Sequence, residues 1–128
     1  MIYLDSSVVL ARLLAESRRL ADDFWQLPLI SSRLLQYELW NRLHVRDLDQ
    51  DRESSARNLL GRVLFVELTP TVLARALDPF PVAVRTLDSL HLATMNYLIA
   101  EGQAIELASF DERLLAAAGA LGIALHQP

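Results

Sequence analysis

Short apolar runs alternate along the chain with longer stretches in which apolar side chains recur every three or four positions. The first pattern fits buried strands and the second fits amphipathic helices packed on a core. Residues 2–5 read as a strand, and Ser6 to Glu16 as a helix with Ser6 as its N-cap and Val8, Val9, Leu13 and Leu14 available for burial. A second helix is expected over Arg18 to Gln26, ended by Pro28, with Leu29-Ile30-Ser31 as the next strand. Ser32 can cap a helix from Arg33 to about Arg46, with Leu35, Leu39 and Leu43 on one face. The charged segment Asp47 to Asp51 reads as a break before a helix over Arg52 to Arg62.

Val63 to Leu68 has strand composition, and Thr69-Pro70 fits a helix start with proline at the first helical position. That helix is expected to end before the Pro79-Phe80-Pro81 loop. Thr86 to Glu101 reads as a long helix stopped by Gly102. Ala104 to Ser109 reads as a strand, Asp111 opens a helix to about Ala120, and Ile123 to His126 forms a last short strand after Gly122. Such a β-α alternation predicts the α/β class: a three-layer α/β/α sandwich around a parallel sheet of about five strands.

Length and composition narrow the class further. The chain has 128 residues, which fits a single domain spanning residues 1–128, and it is 52% hydrophobic, enough for a substantial core. No apolar run approaches the roughly 18 residues of a membrane span. No secretory signal pattern opens the chain, and cysteine is absent, so disulfides, zinc–thiolate sites and thiol catalysis are excluded. A cytoplasmic protein is the expectation. All 12 basic residues are arginine. Without lysine, a Walker-type phosphate loop and Schiff-base catalysis are excluded as well. The net charge of −4 argues against simple electrostatic capture of a polyanion. Setting aside four acids as metal ligands takes that balance from −4 to 0, and bound cations then make the local field positive.

The acids that matter are Asp5, Glu38, Asp88 and Asp111. Ligand sites in parallel sheets lie beyond the carboxyl ends of the strands. Asp5 ends the first strand, and Asp111 closely follows the strand that ends at Ser109. Glu38 lies inside the helix after the second strand, and Asp88 in the first turn of the helix after the proline loop. Gathered carboxylates repel one another, and divalent cations relieve that repulsion. An all-oxygen ligand set suits Mg²⁺ or Mn²⁺. Such a site can clamp a phosphodiester and activate water for in-line hydrolysis.

Each acid also has an ordinary reading. Asp5 fits a turn or cap, Glu38 an i,i+4 pair with Arg42, Asp88 a favourable place on the helix dipole, and Asp111 an N-cap. Only their convergence on one edge favours a site. His91 reads as a structural side chain that bonds to Asp88 or packs in the core, and His44 and His126 as surface residues. Arg85 can grip a phosphate or pair with a neighbouring acid. Arg12, Arg42 and Arg46 read as scattered surface charges able to add backbone contacts.

The opening IYLDSSVV, the stretch VRTLDSLHLATM from Val84 to Met95, and LASFDERLLAAAGALGI from Leu107 to Ile123 together resemble the motifs of PIN-domain nucleases, specifically toxins of the VapBC toxin–antitoxin type. Glu38, in LLQYELWNRL, falls where that family places its second acid. The resemblance implies a PIN-like fold and an endoribonuclease that hydrolyses RNA by metal-activated water, leaving 5′-phosphate and 3′-hydroxyl ends. It also implies a homodimer, a small VapB-like antitoxin, and Mg²⁺ or Mn²⁺ as cofactor. Asp5 and Asp88 are then direct metal ligands, with Glu38 and Asp111 completing the site. Ser6, Arg85 and Ser109 are candidate substrate-binding residues. The alternatives are a catalytically inert PIN-like protein-binding module and a metal-dependent DNA nuclease or phosphatase, because this chemistry does not itself select RNA.

Overall fold

The computed structural model describes residues 1–127. Five strands form one parallel sheet in the order β3-β2-β1-β4-β5, with β1 at Ile2–Leu4, β2 at Leu29–Ser32, β3 at Val63–Val66, β4 at Glu106–Ala108 and β5 at Ala124–Leu125. The helices are α1 (Ser6–Leu13), α2 (Leu34–Val45), α3 (Asp49–Leu60), α4 (Pro70–Leu77), α5 (Thr86–Ala100) and α6 (Glu112–Ala120).

Two cores account for the three layers. On one side Ile2 and Leu4 pack with Val8, Leu39 and Leu43 of α1 and α2 and with Ala56 of α3. On the other, Tyr3 packs with Leu92 and Met95 of α5 and Leu114 of α6. Because β1 is central and both its faces are covered, all three of its residues must be bulky and buried. The expected α/β/α sandwich is the observed architecture.

The local signals mostly hold, with shifted boundaries. The Thr69 hydroxyl accepts from Val72 N–H, and Pro70 occupies the first helical turn. The Ser32 hydroxyl accepts from Leu34 N–H at 3.1 Å, at the first residue of α2, but the N-cap position is Arg33, not Ser32 as expected, and it makes no side-chain cap bond. Gly102 follows α5 at φ +93°, a conformation that side-chain-bearing residues rarely adopt.

Three further expectations need correction. The helix expected over Arg18 to Gln26 is only a 3-10 turn, Asp22–Gln26. Its two apolar anchors, Phe24 and Trp25, are adjacent and both buried, so they lack the recurring three- or four-residue spacing that would mark one helical face, and a single tight turn is enough to bury them. The helix expected from Arg52 starts at Asp49, because Asp49 and Asp51 are favoured in its first turn and the chain break is confined to Asp47, at φ +56°, and Leu48. Ser6 is not the cap of α1: Asp5 is, and Ser6 is the first helical residue.

Candidate active site

The strand order decides where a site can form. From the centre of the sheet the chain builds outward through β1, β2 and β3, then returns to lay β4 against the other side of β1. The crevice beyond the carboxyl ends of β1 and β4 is the switch point of the fold. Asp5 directly follows β1, and Asp111 lies just past β4. Glu38 reaches the same place from α2, and Asp88 from the first turn of α5. All four carboxylates line one cavity of about 490 Å³. Ser6, Arg42 and Arg85 share its wall.

Asp5 is buried and held by hydroxyls. Its Oδ2 accepts from the Ser7 hydroxyl at 2.6 Å and from the Ser109 hydroxyl at 2.8 Å. Each hydroxyl then accepts in turn: Ser7 Oγ from Phe110 N–H and Ser109 Oγ from Asp111 N–H, both at 2.9 Å. This lattice ties the end of β1 to the end of β4 and fixes the Asp5 carboxylate between them. Ser109, a candidate for substrate binding, thus bonds the Asp5 carboxylate. The corresponding partner on the β1 side is Ser7, which sequence reasoning missed. The signal available was the paired serines after Asp5, since the second residue of a helix lies beside its cap.

Asp111 is both wall and cap. Its Oδ1 accepts from Arg113 N–H at 2.9 Å and Leu114 N–H at 3.3 Å. Asp88 is half-buried, and its carboxyl is pushed above the usual range by burial first, then by the charges of Asp111 and Asp5, with His91 and Arg85 opposing. Three of the acids therefore share one field.

Glu38 does not pair with Arg42 as a solvated helical glutamate would. His91 Nε2 stands 2.6 Å from Glu38 Oε1, and His91 Nδ1 stands 2.7 Å from the Tyr3 hydroxyl. His91 is buried, as expected for a core side chain, but its polar partners are Glu38 and Tyr3 and not Asp88. Burial opposes a charged imidazole at His91, yet the hydrogen bond and charge of Glu38, with Asp5 and Asp88 behind it, hold the ring above its ordinary range. His44 is exposed, as expected. His126 is not: it is partly buried, 3.2 Å from Glu106, and packs against the Phe24 ring.

Arg85 is exposed at the N-terminus of α5, and among the described residues it forms no ion pair, so its guanidinium remains available at the mouth. Arg12, by contrast, pairs with Asp22.

A divalent cation suits the chemistry of this wall, which offers carboxylate and hydroxyl oxygens, with Asp88 under repulsion from its neighbours. Among the described residues no three Asp, Glu or His side chains gather tightly enough to form a closed cage. The acids line an open cavity, a form that leaves room for substrate oxygens to share a cation.

The PIN domain family matches residues 2–120. Ribonuclease VapC35 of Mycobacterium tuberculosis is 32% identical over 133 residues, covering 100% of this chain and 97% of the relative. Ribonuclease VapC46 of the same organism is 30% identical over 131 residues, covering 99% and 97% respectively. The crystal structure of M. tuberculosis VapC20, described as a sarcin-ricin loop cleaving toxin, shares the fold with a TM-score of 0.74 at 20% identity over the whole of both chains. A carboxylate-lined switch point, a family match over nearly its full length and VapC relatives aligned from end to end make this chain a member of the PIN-domain family, of the VapC type.

Proposed function

We propose that the chain is a divalent-metal-dependent endoribonuclease and the toxin of a toxin–antitoxin pair. One observation carries the reading: Asp5, Glu38, Asp88 and Asp111, from four separate parts of the sequence, line a single cavity at the switch point of the sheet. The full-length kinship with proteins named ribonucleases selects RNA among the polymers this chemistry can cut. Asp5 and Asp88 would hold Mg²⁺ or Mn²⁺, with Glu38 and Asp111 completing the set. When bound, such an ion neutralises phosphodiester oxygens and acidifies water. The chain's own residues do the rest. Ser7 and Ser109 fix one oxygen of Asp5, Asp111 is held by its cap bonds, and Arg85, on the same wall, would grip a phosphate. Ser6 lies on the same wall and can bond the substrate backbone. A small VapB-like antitoxin, a homodimer and action on RNA in the cytoplasm belong to the same reading. No helix among the described residues is long and apolar enough to cross a membrane.

The test is cleavage of total RNA by the purified chain in Mg²⁺, in Mn²⁺ and in chelator, with Asp5→Asn and Asp88→Asn beside it. Metal-dependent cleavage that leaves 5′-phosphate ends and drops roughly 100-fold or more in both variants, about 2.7 kcal/mol of barrier, is the expected result. Equal cleavage by the variants, or none by the parent, leaves the inert binding module. Cleavage of DNA alone would make it a DNA nuclease.

A further inference from the structure

Glu38 differs from the other acids in how it is held. Asp5 and Asp111 have short side chains bonded to hydroxyls or backbone beside them. Glu38 has a longer, more flexible side chain that must cross from α2 toward α5, and among the described residues its carboxylate has one hydrogen-bonding partner, His91. His91 is only 1% exposed, and Tyr3 is fully buried in the central strand. Their rings meet edge to face with centroids 5.8 Å apart. Ser32 N–H donates to the Tyr3 hydroxyl at 3.3 Å, which joins the network to the end of β2, two residues before α2 begins.

We propose that His91 is a positioning residue: anchored on Tyr3, it holds the Glu38 carboxylate at the cavity wall in the orientation a bound cation requires. This rests on the nuclease reading above. The arrangement does not depend on whether the imidazole carries one proton or two. In the neutral ring with hydrogen on Nε2, Nε2–H donates to Glu38 and Nδ1 accepts from the Tyr3 O–H; in the charged ring both nitrogens donate. Either way Glu38 faces a donor on a rigid support. Partners of this kind fix the orientation of metal-binding side chains. A histidine needed only to fill the core would be replaceable by an apolar side chain of similar size.

Three substitutions separate the roles. His91→Phe keeps the volume and removes both polar contacts. His91→Asn places an amide near the Nδ1 position, within reach of Tyr3 but short of Glu38. His91→Gln extends an amide donor toward Glu38. Mn²⁺ affinity of each purified protein is measured calorimetrically without substrate, and kcat and KM for RNA are measured separately. Positioning predicts that Mn²⁺ affinity falls about 10- to 100-fold in His91→Phe and His91→Asn. It also predicts that kcat falls with little change in KM, and that His91→Gln recovers most of both. Tyr3→Phe, which keeps His91 but loses its anchor, should move both quantities the same way by less.

Folded His91→Asn with parental Mn²⁺ affinity and kcat overturns the proposal, as does a His91→Gln no better than His91→Phe. If the His91 variants fail to fold, Tyr3→Phe decides alone: parental affinity overturns the positioning role. A parent chain that neither binds Mn²⁺ nor cuts RNA defeats the nuclease reading itself, and the positioning role with it.

Discussion

Asp88 shows what the cavity costs an individual side chain. Its carboxyl is held above the ordinary range by burial and by Asp111 and Asp5, so the folded chain binds its proton more tightly than the unfolded chain does. The native state then holds more protons between the ordinary Asp value and the raised one, and stability falls as pH climbs through that window. Above it, in chelator, the ionised group weakens the fold. Asp88→Asn should therefore raise the melting temperature of the metal-free protein at neutral pH, while abolishing cleavage. Asp88 is partly solvated, so the gain stays below about 1 kcal/mol, and the difference from the parent should vanish as pH drops to the ordinary carboxyl range. A melting temperature lowered by Asp88→Asn at neutral pH would contradict the repulsion. The position of Asp88 was legible in the sequence because the first turn of a helix after a loop is a defined place in this fold. Which serine serves Asp5 was not legible. Moving the start of α1 by one residue transfers the cap from Ser6 to Asp5 and brings Ser7 to the carboxylate. Ser7→Ala should cost about 1–3 kcal/mol, since it strands the Phe110 N–H as well as loosening Asp5, and urea unfolding would measure it.

At the scale of elements, Asp111 serves α6 and the cavity together, and two substitutions separate the duties. Asp111→Asn keeps an oxygen for the Arg113 and Leu114 amides, and asparagine caps helices as well as aspartate. Asp111→Ala loses the cap and costs about 1 kcal/mol. If Asp111 also acts on a cation, both should lose RNA cleavage although only the alanine variant melts early. Retained cleavage in Asp111→Asn would leave Asp111 a cap and nothing more. The ordinary and functional readings of such a residue coexist, so sequence alone does not choose between them. Helices and strands with periodic burial, such as α2 with Leu35, Leu39 and Leu43, were legible for the opposite reason: one face must meet a core, and the spacing says which. The segment from Arg18 to Gln26 carried no such constraint. Adjacent Phe24 and Trp25 can be buried by a turn as well as by a helix, and tertiary packing made the choice.

For the whole molecule the difficulty is charge. A chain with 16 acids against 12 arginines, and four carboxylates lining one cavity, should repel a polyanion at close range. Cations bound in the cavity would reverse the local field where the backbone must come nearest. Affinity for RNA should then be conditional, weak in chelator and strengthened by Mg²⁺, whereas the same ionic strength of monovalent salt should only weaken phosphate contacts by screening. A non-hydrolysable RNA in a binding assay measures this without cleavage. Arg85, exposed at the mouth and in no ion pair among the described residues, is the cation proposed to meet a phosphate directly. Arg85→Ala should weaken RNA binding in Mg²⁺, raise KM more than it lowers kcat, and reduce the dependence of log affinity on log salt by about one. Arg12→Ala, whose guanidinium is engaged with Asp22, should change none of the three. If the two variants behave alike, RNA reaches the cavity by a path that does not pass Arg85. If chelator leaves binding untouched, the surface outside the cavity carries the affinity and the acids act only in the chemical step.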